Sequence, residues 1–224
     1  MDALLGLLQL SDSGFPSGAF ALSHGLETLV ADGAVRSADD VAALVRVSLL
    51  DRAARADLPV LLAVHAAVEL GTVLEFESRL TATKLAADER TASRRVGRRL
   101  AIEAARLAPD DLLVAYVAAL EEDSLLGNSA VAMGLAMRAF AVPAREAATG
   151  AAWSLANGIC AAAVRLGLIG HGDAQRILRD AAPVIVAAVE RALAIDPARL
   201  RPSAPQLEVA LARHETAATH LFAT

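Results

Sequence analysis

Residues 147–164 read AATGAAWSLANGICAAAV, a run of 18 residues without a charged side chain. The run is long enough to span a membrane, but alanine and glycine dominate it. The residues in it that favour insertion into lipid are few, namely Leu155, Ile159, Val164 and Trp153. We therefore predict the central helix of a bundle, whose small residues let neighbouring helices approach closely. Membrane or lipid contact through this stretch is the alternative that the residues leave open.

The composition of the whole chain also favours helices. Among 224 residues there are 53 alanines and 35 leucines, but only 6 isoleucines and 19 valines. Alanine and leucine are strong helix formers, whereas β-branched residues favour pleated surfaces. The composition thus predicts an all-α protein, and the length predicts a single domain with a substantial core.

Charge and cysteine usage exclude several classes of protein. The net charge of −5 argues against nucleic acid as a partner, because a protein that binds a phosphate backbone needs a basic surplus. Cys160 is the only cysteine, which excludes an intramolecular disulfide and a multi-cysteine metal site. No basic region precedes the first apolar run, so we expect a cytoplasmic protein without a secretory signal. The mean hydropathy of +0.46 suggests apolar surface that is buried in a complex.

The helical pattern divides the chain into roughly ten helices and a tail. The predicted segments are residues 2–10, residues 19–31, a helix capped by Ser37, a helix from Asp57 to Leu70, residues 72–85, residues 89–107, a helix capped by Asp110 or Asp111, one ending near Pro143, the alanine-rich helix, and one capped by Asp173 and kinked by Pro183. Three prolines in residues 196–205 predict a hinge, followed by a detached amphipathic helix over 206–222. The resulting division is an all-helical domain, 1–195, and a hinge with a C-terminal tail, 196–224.

Catalytic motifs are missing from the sequence. It contains no GxxxxGK[ST] phosphate loop, and the His214-Glu215 pair does not continue into H-E-x-x-H. His24 with Glu27, and His65 with Glu69, each have a spacing that could supply half of a metal site, but a site needs three or four ligands. A non-enzymatic protein is therefore favoured. A helical metal-dependent enzyme that uses His24, His65 and His214 remains the alternative.

Five arginines form the densest charged feature, namely Arg90, Arg94, Arg95, Arg98 and Arg99. Helical spacing places Arg90, Arg94 and Arg98 on one strip. Like charges four residues apart on a helix repel each other. The strip is therefore either an ordinary solvated face or a docking surface for an acidic partner.

Three motifs resemble those of one family. Residues 7–20 read LLQLSDSGFPSGAF and are followed by Gly25-Leu26-Glu27, which resembles the opening motif of the urease accessory protein UreF family. The family pattern R-x-x-S-x-x-x-G-x-x-L is matched by Arg90, Ser93, Gly97 and Leu100. Its terminal pattern is matched by Arg213-His214-Glu215 and Leu221-Phe222. The sequence departs from the family where Gly127-Asn128 replaces a Gly-His pair and where His220 replaces an arginine.

The resemblance implies a chaperone without catalytic activity. Proteins of this family are all-helical, tend to form dimers, and join the accessory proteins UreD (also called UreH) and the GTPase UreG. That assembly docks on urease apoprotein and couples GTP hydrolysis to nickel insertion. The resemblance therefore implies that this chain holds no permanent cofactor or metal, that the complex handles the nickel, and that the partner GTPase binds GTP. Nucleic acid and membrane are not expected as partners.

The same resemblance indicates which residues contact partners. Phe15, Pro16 and Gly18 are expected to fix the shape of a loop, because proline sets φ and glycine tolerates unusual φ values. Leu207 and Leu211 are further apolar candidates in the tail. The complete predicted partner-binding set is Phe15, Pro16, Gly18, Glu27, Arg90, Ser93, Arg94, Arg98, Arg213, His214, Glu215, Leu221 and Phe222.

Overall fold

The computed structural model of the chain describes residues 2–214, and this part is built from helices. Its α-helices are α1 (Ala3–Ser11), α2 (Leu26–Ala31), α3 (Ala38–Val47), α4 (Asp57–Ala66), α5 (Leu70–Thr83), α6 (Ala87–Leu107), α7 (Asp111–Glu122), α8 (Ser129–Ala139), α9 (Ala144–Arg165), α10 (His171–Asp180), α11 (Ala182–Ala194) and α12 (Pro205–His214). Short 3₁₀ turns at Ala19–Ala21 and Ala53–Arg55 and a π-helical turn at Ser48–Arg52 complete them. The all-α prediction is confirmed, with twelve α-helices in this part instead of about ten.

Helices α8 and α9 form the centre of the bundle. Helix α8 packs against α4, α6 and α9, and α9 also contacts α1, α3, α10 and α11. Small residues allow these close approaches: a methyl group on Gly134 of α8 would lie 2.7 Å from the carbonyl oxygen of Leu61 in α4. The predicted central role of the alanine-rich stretch is confirmed, since nine residues of α9 are buried.

By length and composition alone, α9 is also apolar enough to cross a membrane, and half of its apolar window is buried inside the protein. The core helix of a globular bundle meets this description as well as a membrane span does. Trp153 is its large apolar residue with substantial exposure, at 40%. The helix thus adds little weight to the alternative of membrane contact.

Several helix ends follow the predicted capping chemistry. The Ser37 hydroxyl accepts a hydrogen bond from the Asp40 amide at 3.2 Å, and the Asp40 carboxylate accepts one from the Ser37 amide at 3.0 Å. This reciprocal pair is a capping box that satisfies two amides at the start of α3. Asp110 caps α7 in a similar way by accepting from the amides of Leu112 and Leu113.

Four predicted helix boundaries are wrong. Residues 19–31 do not form one helix, because His24 and Gly25 adopt left-handed φ angles of 53° and 80° and separate a 3₁₀ turn from α2. The predicted helix from Asp57 to Leu70 ends at Ala66. Pro183 does not kink a long helix. It lies in the first turn of α11, where backbone amides have no partner within the helix, so the missing N–H of proline costs no hydrogen bond. Helix α10 begins at His171 with Gly170 at its cap, so Asp173 lies inside the first turn.

The C-terminal helix is not detached. Over its described residues, α12 packs against α2 and α6 and buries Leu207, Ala210 and Leu211 to 2% exposure or less. Burial of one leucine side chain stabilises a fold by about 1.5–3 kcal/mol, so this packing outweighs the freedom of a tail. Leu207 and Leu211 therefore serve the core in this arrangement. The remainder of the predicted tail helix, 215–222, lies outside the described residues.

The packing of α12 against α2 requires a glycine at position 25. A methyl group there would lie 2.7 Å from Cδ1 of Leu207, and the φ of 80° disfavours any other residue. We expect Gly25→Ala to lower the free energy of unfolding by about 2–5 kcal/mol, from about 1–2 kcal/mol for the left-handed backbone and about 1–3 kcal/mol for overpacking. Chemical denaturation measures this loss.

Gly18→Ala is the matched control for this substitution. Gly18 has a φ of 79°, but nothing lies within 4 Å of a methyl group there. It should therefore show only the backbone part of the loss. Equal losses in the two variants would contradict the proposed contact between Gly25 and α12.

Candidate partner-binding site

The N-terminal motif forms an exposed loop that is anchored by one buried ring. The Asp12 carboxylate accepts a hydrogen bond from the Gly14 amide at 2.6 Å, and Phe15 is buried in the core. Pro16 and Gly18 are exposed, and Gly18 has the left-handed φ that glycine tolerates. The φ of Gly18 agrees with the expected use of glycine in this loop. Contact of Phe15, Pro16 or Gly18 with a partner stays a prediction.

The end of this loop carries an exposed aromatic ring. Phe20 is 60% exposed, and the guanidinium carbon of Arg165 in α9 lies 4.4 Å from the centroid of its ring. A cation at this distance from an aromatic face is a stabilising contact. The contact connects the N-terminal loop to the end of the central helix.

The second motif joins α6 to its neighbours. The Arg90 guanidinium donates hydrogen bonds to the carbonyl oxygens of Lys84 and Leu85, both at 2.7 Å, just after α5 ends. The Ser93 hydroxyl accepts from the amide of Ser129 at 3.1 Å, at the first residue of α8. Carbonyls at a helix end and amides at a helix start lack partners within the helix. Arg90 and Ser93 supply such partners across the bundle.

Gly97 in the same motif provides the space for this junction. A methyl group at Gly97 would lie 2.7 Å from the carbonyl carbon of Asn128 and would collide with the carbonyl oxygen of Gly127. Leu100, one turn further on, is buried in the core. Ser93 and Gly97 are one helical turn apart because both face the 127–129 turn where it crosses α6.

Arg98 binds the C-terminal end of α7 and the loop that follows it. Its guanidinium donates to the carbonyl oxygens of Leu120 at 2.6 Å, Asp123 at 3.2 Å and Leu126 at 3.4 Å. Arg90 and Arg98 therefore serve the fold, and their contact with a partner stays a prediction, as does that of Ser93. Arg94 is half-buried, whereas Arg95 and Arg99 are exposed. The arginine strip is thus divided into side chains that point into the bundle and side chains that do not.

The third motif meets the first. Arg213 forms an ion pair with Asp32, just after α2, and Nε2 of His214 lies 3.4 Å from Oε2 of Glu27. Nδ1 of the same ring lies 3.6 Å from the carboxylate of Asp88 in α6. Glu27, Arg213 and His214 are therefore brought together, and in this structure they hold α12 in place. The remaining predicted tail residues, Glu215, Leu221 and Phe222, lie outside the described residues.

Glu77 is an important residue that the sequence analysis missed. Its carboxylate is buried and accepts hydrogen bonds from the Tyr116 hydroxyl at 2.7 Å and from the amides of Gly127 at 3.0 Å and Asn128 at 2.7 Å. Burial raises the pKa of Glu77 above its ordinary 4.5, although these three hydrogen bonds act in the opposite direction. The sequence does contain a signal for this role. The spacing of Val73, Glu77 and Leu80 predicts that all three face the core, so a buried glutamate could have been expected there.

A second, largely buried network lines part of a cavity of about 270 Å³ that is open to solvent on one side. Arg52, at the end of the π-helical turn, lies 2.7 Å from Glu89 in α6 and 2.9 Å from Glu208 in α12. Lys84, the only lysine of the chain, lies 2.8 Å from Asp57 and is 7% exposed. Burial alone would lower the pKa of Lys84, but Asp57 and Glu89 together raise it, so the cluster is held by opposite charges.

The candidate metal ligands are dispersed among other contacts. Nε2 of His65 lies 2.8 Å from the carbonyl oxygen of Val142, His214 contacts Glu27, and His24 lines the cavity. Within residues 2–214, no group of three or more His, Cys, Asp or Glu side chains is placed to hold a metal ion. The geometry therefore does not favour the metal-dependent enzyme.

Cys160 is buried, which raises the pKa of its thiol to about 11.

These contacts describe an all-α protein in which residues of the motifs connect neighbouring helices: Arg90 and Ser93 supply hydrogen bonds at helix ends, Gly97 provides space, and Glu27, Arg213 and His214 form ion pairs. The UreF family model matches residues 35–182. The urease accessory protein UreF of Trichodesmium erythraeum is 30% identical over 226 residues, which cover 98% of this chain and 96% of the relative. That of Pseudomonas putida is 35% identical over 225 residues, covering 98% and 97%. That of Corynebacterium efficiens is 28% identical over 222 residues, covering 99% and 97%.

The chain therefore belongs to the UreF family of urease accessory proteins. This assignment confirms the resemblance that the three motifs suggested. By its family name the protein is an accessory factor for urease and not itself the enzyme.

The Glu77 network predicts a specific dependence of stability on pH. Because the pKa of Glu77 is raised in the folded chain, the folded state binds more protons than the unfolded state just above pH 4.5. The contribution of Glu77 to the free energy of unfolding therefore falls as pH rises through that window. We expect Glu77→Gln to remove this fall, and Glu77→Leu to destabilise by about 1–3 kcal/mol for each amide left unpaired.

Urea denaturation at several pH values between 4 and 8 measures both effects. Glu75→Gln on the exposed face of the same helix is the matched control, and its surface ion pair contributes only about 0–1 kcal/mol. If Glu77→Leu were as stable as the control, the buried carboxylate would not be what holds the 127–128 turn.

The pKa of His24 predicts the opposite slope of stability against pH, in a range that overlaps that of Glu77. Exclusion of water and the charge of Arg52 lower the pKa of His24 from 6.5 to about 4. The unfolded chain therefore binds a proton between pH 6.5 and about 4 that the folded chain does not, and the free energy of unfolding falls as pH falls through this range. We expect His24→Asn to reduce that fall, because asparagine tolerates a left-handed φ and does not titrate there. His171→Asn, at an exposed histidine on α10, is the control for the same pH series. Identical slopes for the wild type and His24→Asn would show that His24 does not cause this pH dependence.

Proposed function

We propose that this chain forms a complex with UreD/UreH and the GTPase UreG, and that it is required for GTP-dependent insertion of nickel into urease apoprotein. The observation that supports the proposal is the match to urease accessory UreF proteins along nearly the whole length of both chains. The family model covers residues 35–182, which include the second motif. The chain would act in the cytoplasm, as a homodimer within the complex.

In this proposal the chain contributes surfaces and no reaction. The sequence has no phosphate-binding loop, so GTP is bound by the partner GTPase, and nickel is cargo that the assembled complex handles. The contacts of Arg90, Arg98 and Glu27 support such a role, since they connect neighbouring segments of the bundle. A rigid protein loses less conformational entropy when it binds a partner.

The C-terminal residues are proposed to bind the UreD-type partner. Arg213 and His214 already contact Asp32 and Glu27 of their own chain. A partner that binds these two side chains must replace those contacts. Binding at the tail would therefore be coupled to the packing of α12 on α2.

The proposal is tested by producing urease in a host with all its accessory proteins and omitting only this chain. We expect urease subunits to accumulate at normal levels, with loss of enzyme activity and of bound nickel. Activity assays and elemental analysis of purified urease measure the two losses. Omission of the UreG-type GTPase is the matched comparison and should give the same result. Full activity and full nickel content without this chain would disprove the requirement.

A further inference from the structure

The first helix of the chain is apolar on nearly all sides. No charged side chain lies between Asp2, which caps α1, and Asp12, which follows it. Gln9 and Ser11 are the only polar side chains of the helix. A helix that is apolar all round is normally buried in a protein core or in a membrane. Its position in this fold therefore decides how much of it is left uncovered.

One side of α1 packs closely against the centre of the bundle. Gly6 and Leu10 are buried, and a methyl group on Gly6 would lie 3.0 Å from Cβ of Phe140, which follows α8. A methyl group on Gly150 of α9 would collide with Cδ1 of Leu7. These close contacts fix α1 on α8 and α9, so its opposite side has a defined orientation.

That opposite side exposes three leucines. Leu4, Leu5 and Leu8 are 61%, 60% and 57% exposed. Leu8 follows Leu5 by three residues and Leu4 by four, so the helix places it next to both. Among residues 2–214, no other helix exposes more than two large apolar side chains. Such a group marks a surface that another molecule covers, and we call Leu4, Leu5 and Leu8 the leucine face.

The charges at the ends of the leucine face have one sign. Asp2 and Asp12 are exposed at the two ends of α1, about 15 Å apart along the helix axis. Neither has a basic side chain within 4 Å among residues 2–214. The first arginine of the chain is Arg36, and no lysine precedes it. The leucine face therefore lies between two negative charges without an ion-pair partner in this part of the chain.

The arginines next to the contacts of α1 already have acidic partners. Arg138, in the last turn of α8, lies 3.6 Å from the carboxylate of Asp110. Arg145, in the first turn of α9, forms an ion pair with Glu190. Positive charge opposite Asp2 and Asp12 is therefore expected from a partner.

This charge pattern favours one kind of occupant over two others. A second copy of the chain would bring the same acidic groups against each other. A membrane with anionic lipids would repel them, because such a surface attracts basic segments. A protein segment with apolar residues in its middle and lysine or arginine at both ends matches the leucine face in polarity and in charge.

The position of the leucine face indicates which protein supplies that segment. Ser11 and Asp12, at the end of α1, line the same cavity as Leu207 and Leu211 of α12. Helix α12 leads into the C-terminal residues that are proposed above to bind the UreD-type partner. The leucine face and the C-terminal site thus border one cavity, where a single partner can cover both.

We propose that the leucine face binds an apolar segment of the UreD-type accessory protein that carries lysine or arginine at both ends. This inference rests on the proposed function and extends the surface of the chain that binds the UreD-type partner. The three leucines are not members of the predicted partner-binding set. Asp2 and Asp12 supply the electrostatic part of the contact.

The experiment titrates the purified full-length chain with the purified UreD-type protein by calorimetry. Leu5→Gln and Leu8→Gln are combined, because glutamine is a good helix former and both positions are exposed. We expect the dissociation constant to rise roughly tenfold for each leucine replaced, since its apolar area is no longer buried in the complex. The control combines Val186→Gln and Leu193→Gln, at two exposed apolar residues of α11, and should bind like the wild type.

A second pair of substitutions tests the charges. Asp2→Asn and Asp12→Asn together remove two negative charges but keep side-chain acceptors for the amides at each position, because asparagine caps helices as well as aspartate does. We expect severalfold weaker binding at low salt and a smaller difference at high salt. Glu121→Gln with Glu122→Gln, at the exposed end of α7, changes the net charge equally and is the control. Equal weakening by the two pairs would overturn the basic chemistry assigned to the segment.

The outcomes separate this inference from the proposed function. Circular dichroism and thermal unfolding first establish that every variant folds. If the wild-type chain does not bind the UreD-type protein, the proposed function fails. If it binds and the glutamine variant of α1 binds equally well, or if the α11 control is weakened as much, the leucine face is wrong while the proposed function stands. If the α1 variant instead loses only self-association, or only binding to phosphatidylglycerol vesicles, the occupant is a second copy or a membrane and the inference is overturned.

Discussion

The buried carboxylate of Glu77 determines where α8, one of the two helices at the centre of the bundle, begins. It gathers the Tyr116 hydroxyl and the amides of Gly127 and Asn128 at one point in the core. A buried amide without a partner destabilises a fold by about 1–3 kcal/mol, so the turn before α8 depends on this one acceptor. Since α8 packs against α4, α6 and α9, its position in turn decides where those helices lie. Gly97 completes the arrangement, because only a residue without a side chain lets the turn cross α6.

A second ionic network fastens the C-terminal helix to the same body. Arg52 lies between Glu89 of α6 and Glu208 of α12, and it shares Glu89 with Lys84. Burial of charged groups is unfavourable unless they are paired, and removal of one partner leaves another charge uncompensated. The α12 contacts of His214, Arg213 and Leu207 act together with this network. A partner that displaces α12 therefore has to satisfy Arg52 and to cover apolar surface around Gly25, which limits what can compete for that position.

The sequence predicted the elements whose signals are local. The alanine-rich helix, the Ser37 capping box and the Asp110 cap each depend on residues within one or two turns. The close approach of Leu207 to Gly25 could not be found in this way, because these two residues are far apart in the sequence. Glu77 could have been found from the inward stripe on α5, although its acceptor role depends on the 127–128 turn. The contact with Glu77 uses the backbone amides of Gly127 and Asn128, so it does not explain why asparagine replaces the histidine of the family pattern.

The arginine strip shows why periodicity alone does not distinguish a solvated face from a docking face. Both hypotheses assumed that arginines on one helical strip share one environment. The structure separates them, because the acceptors for Arg90 and Arg98 are backbone carbonyls where α5 and α7 end. Every residue carries a carbonyl, so such acceptors leave no trace in the sequence. The side chains that remain, Arg94, Arg95 and Arg99, make no such hydrogen bond within residues 2–214. In a helical scaffold of this kind, candidate binding residues are therefore found by first assigning the charged groups that the fold itself uses.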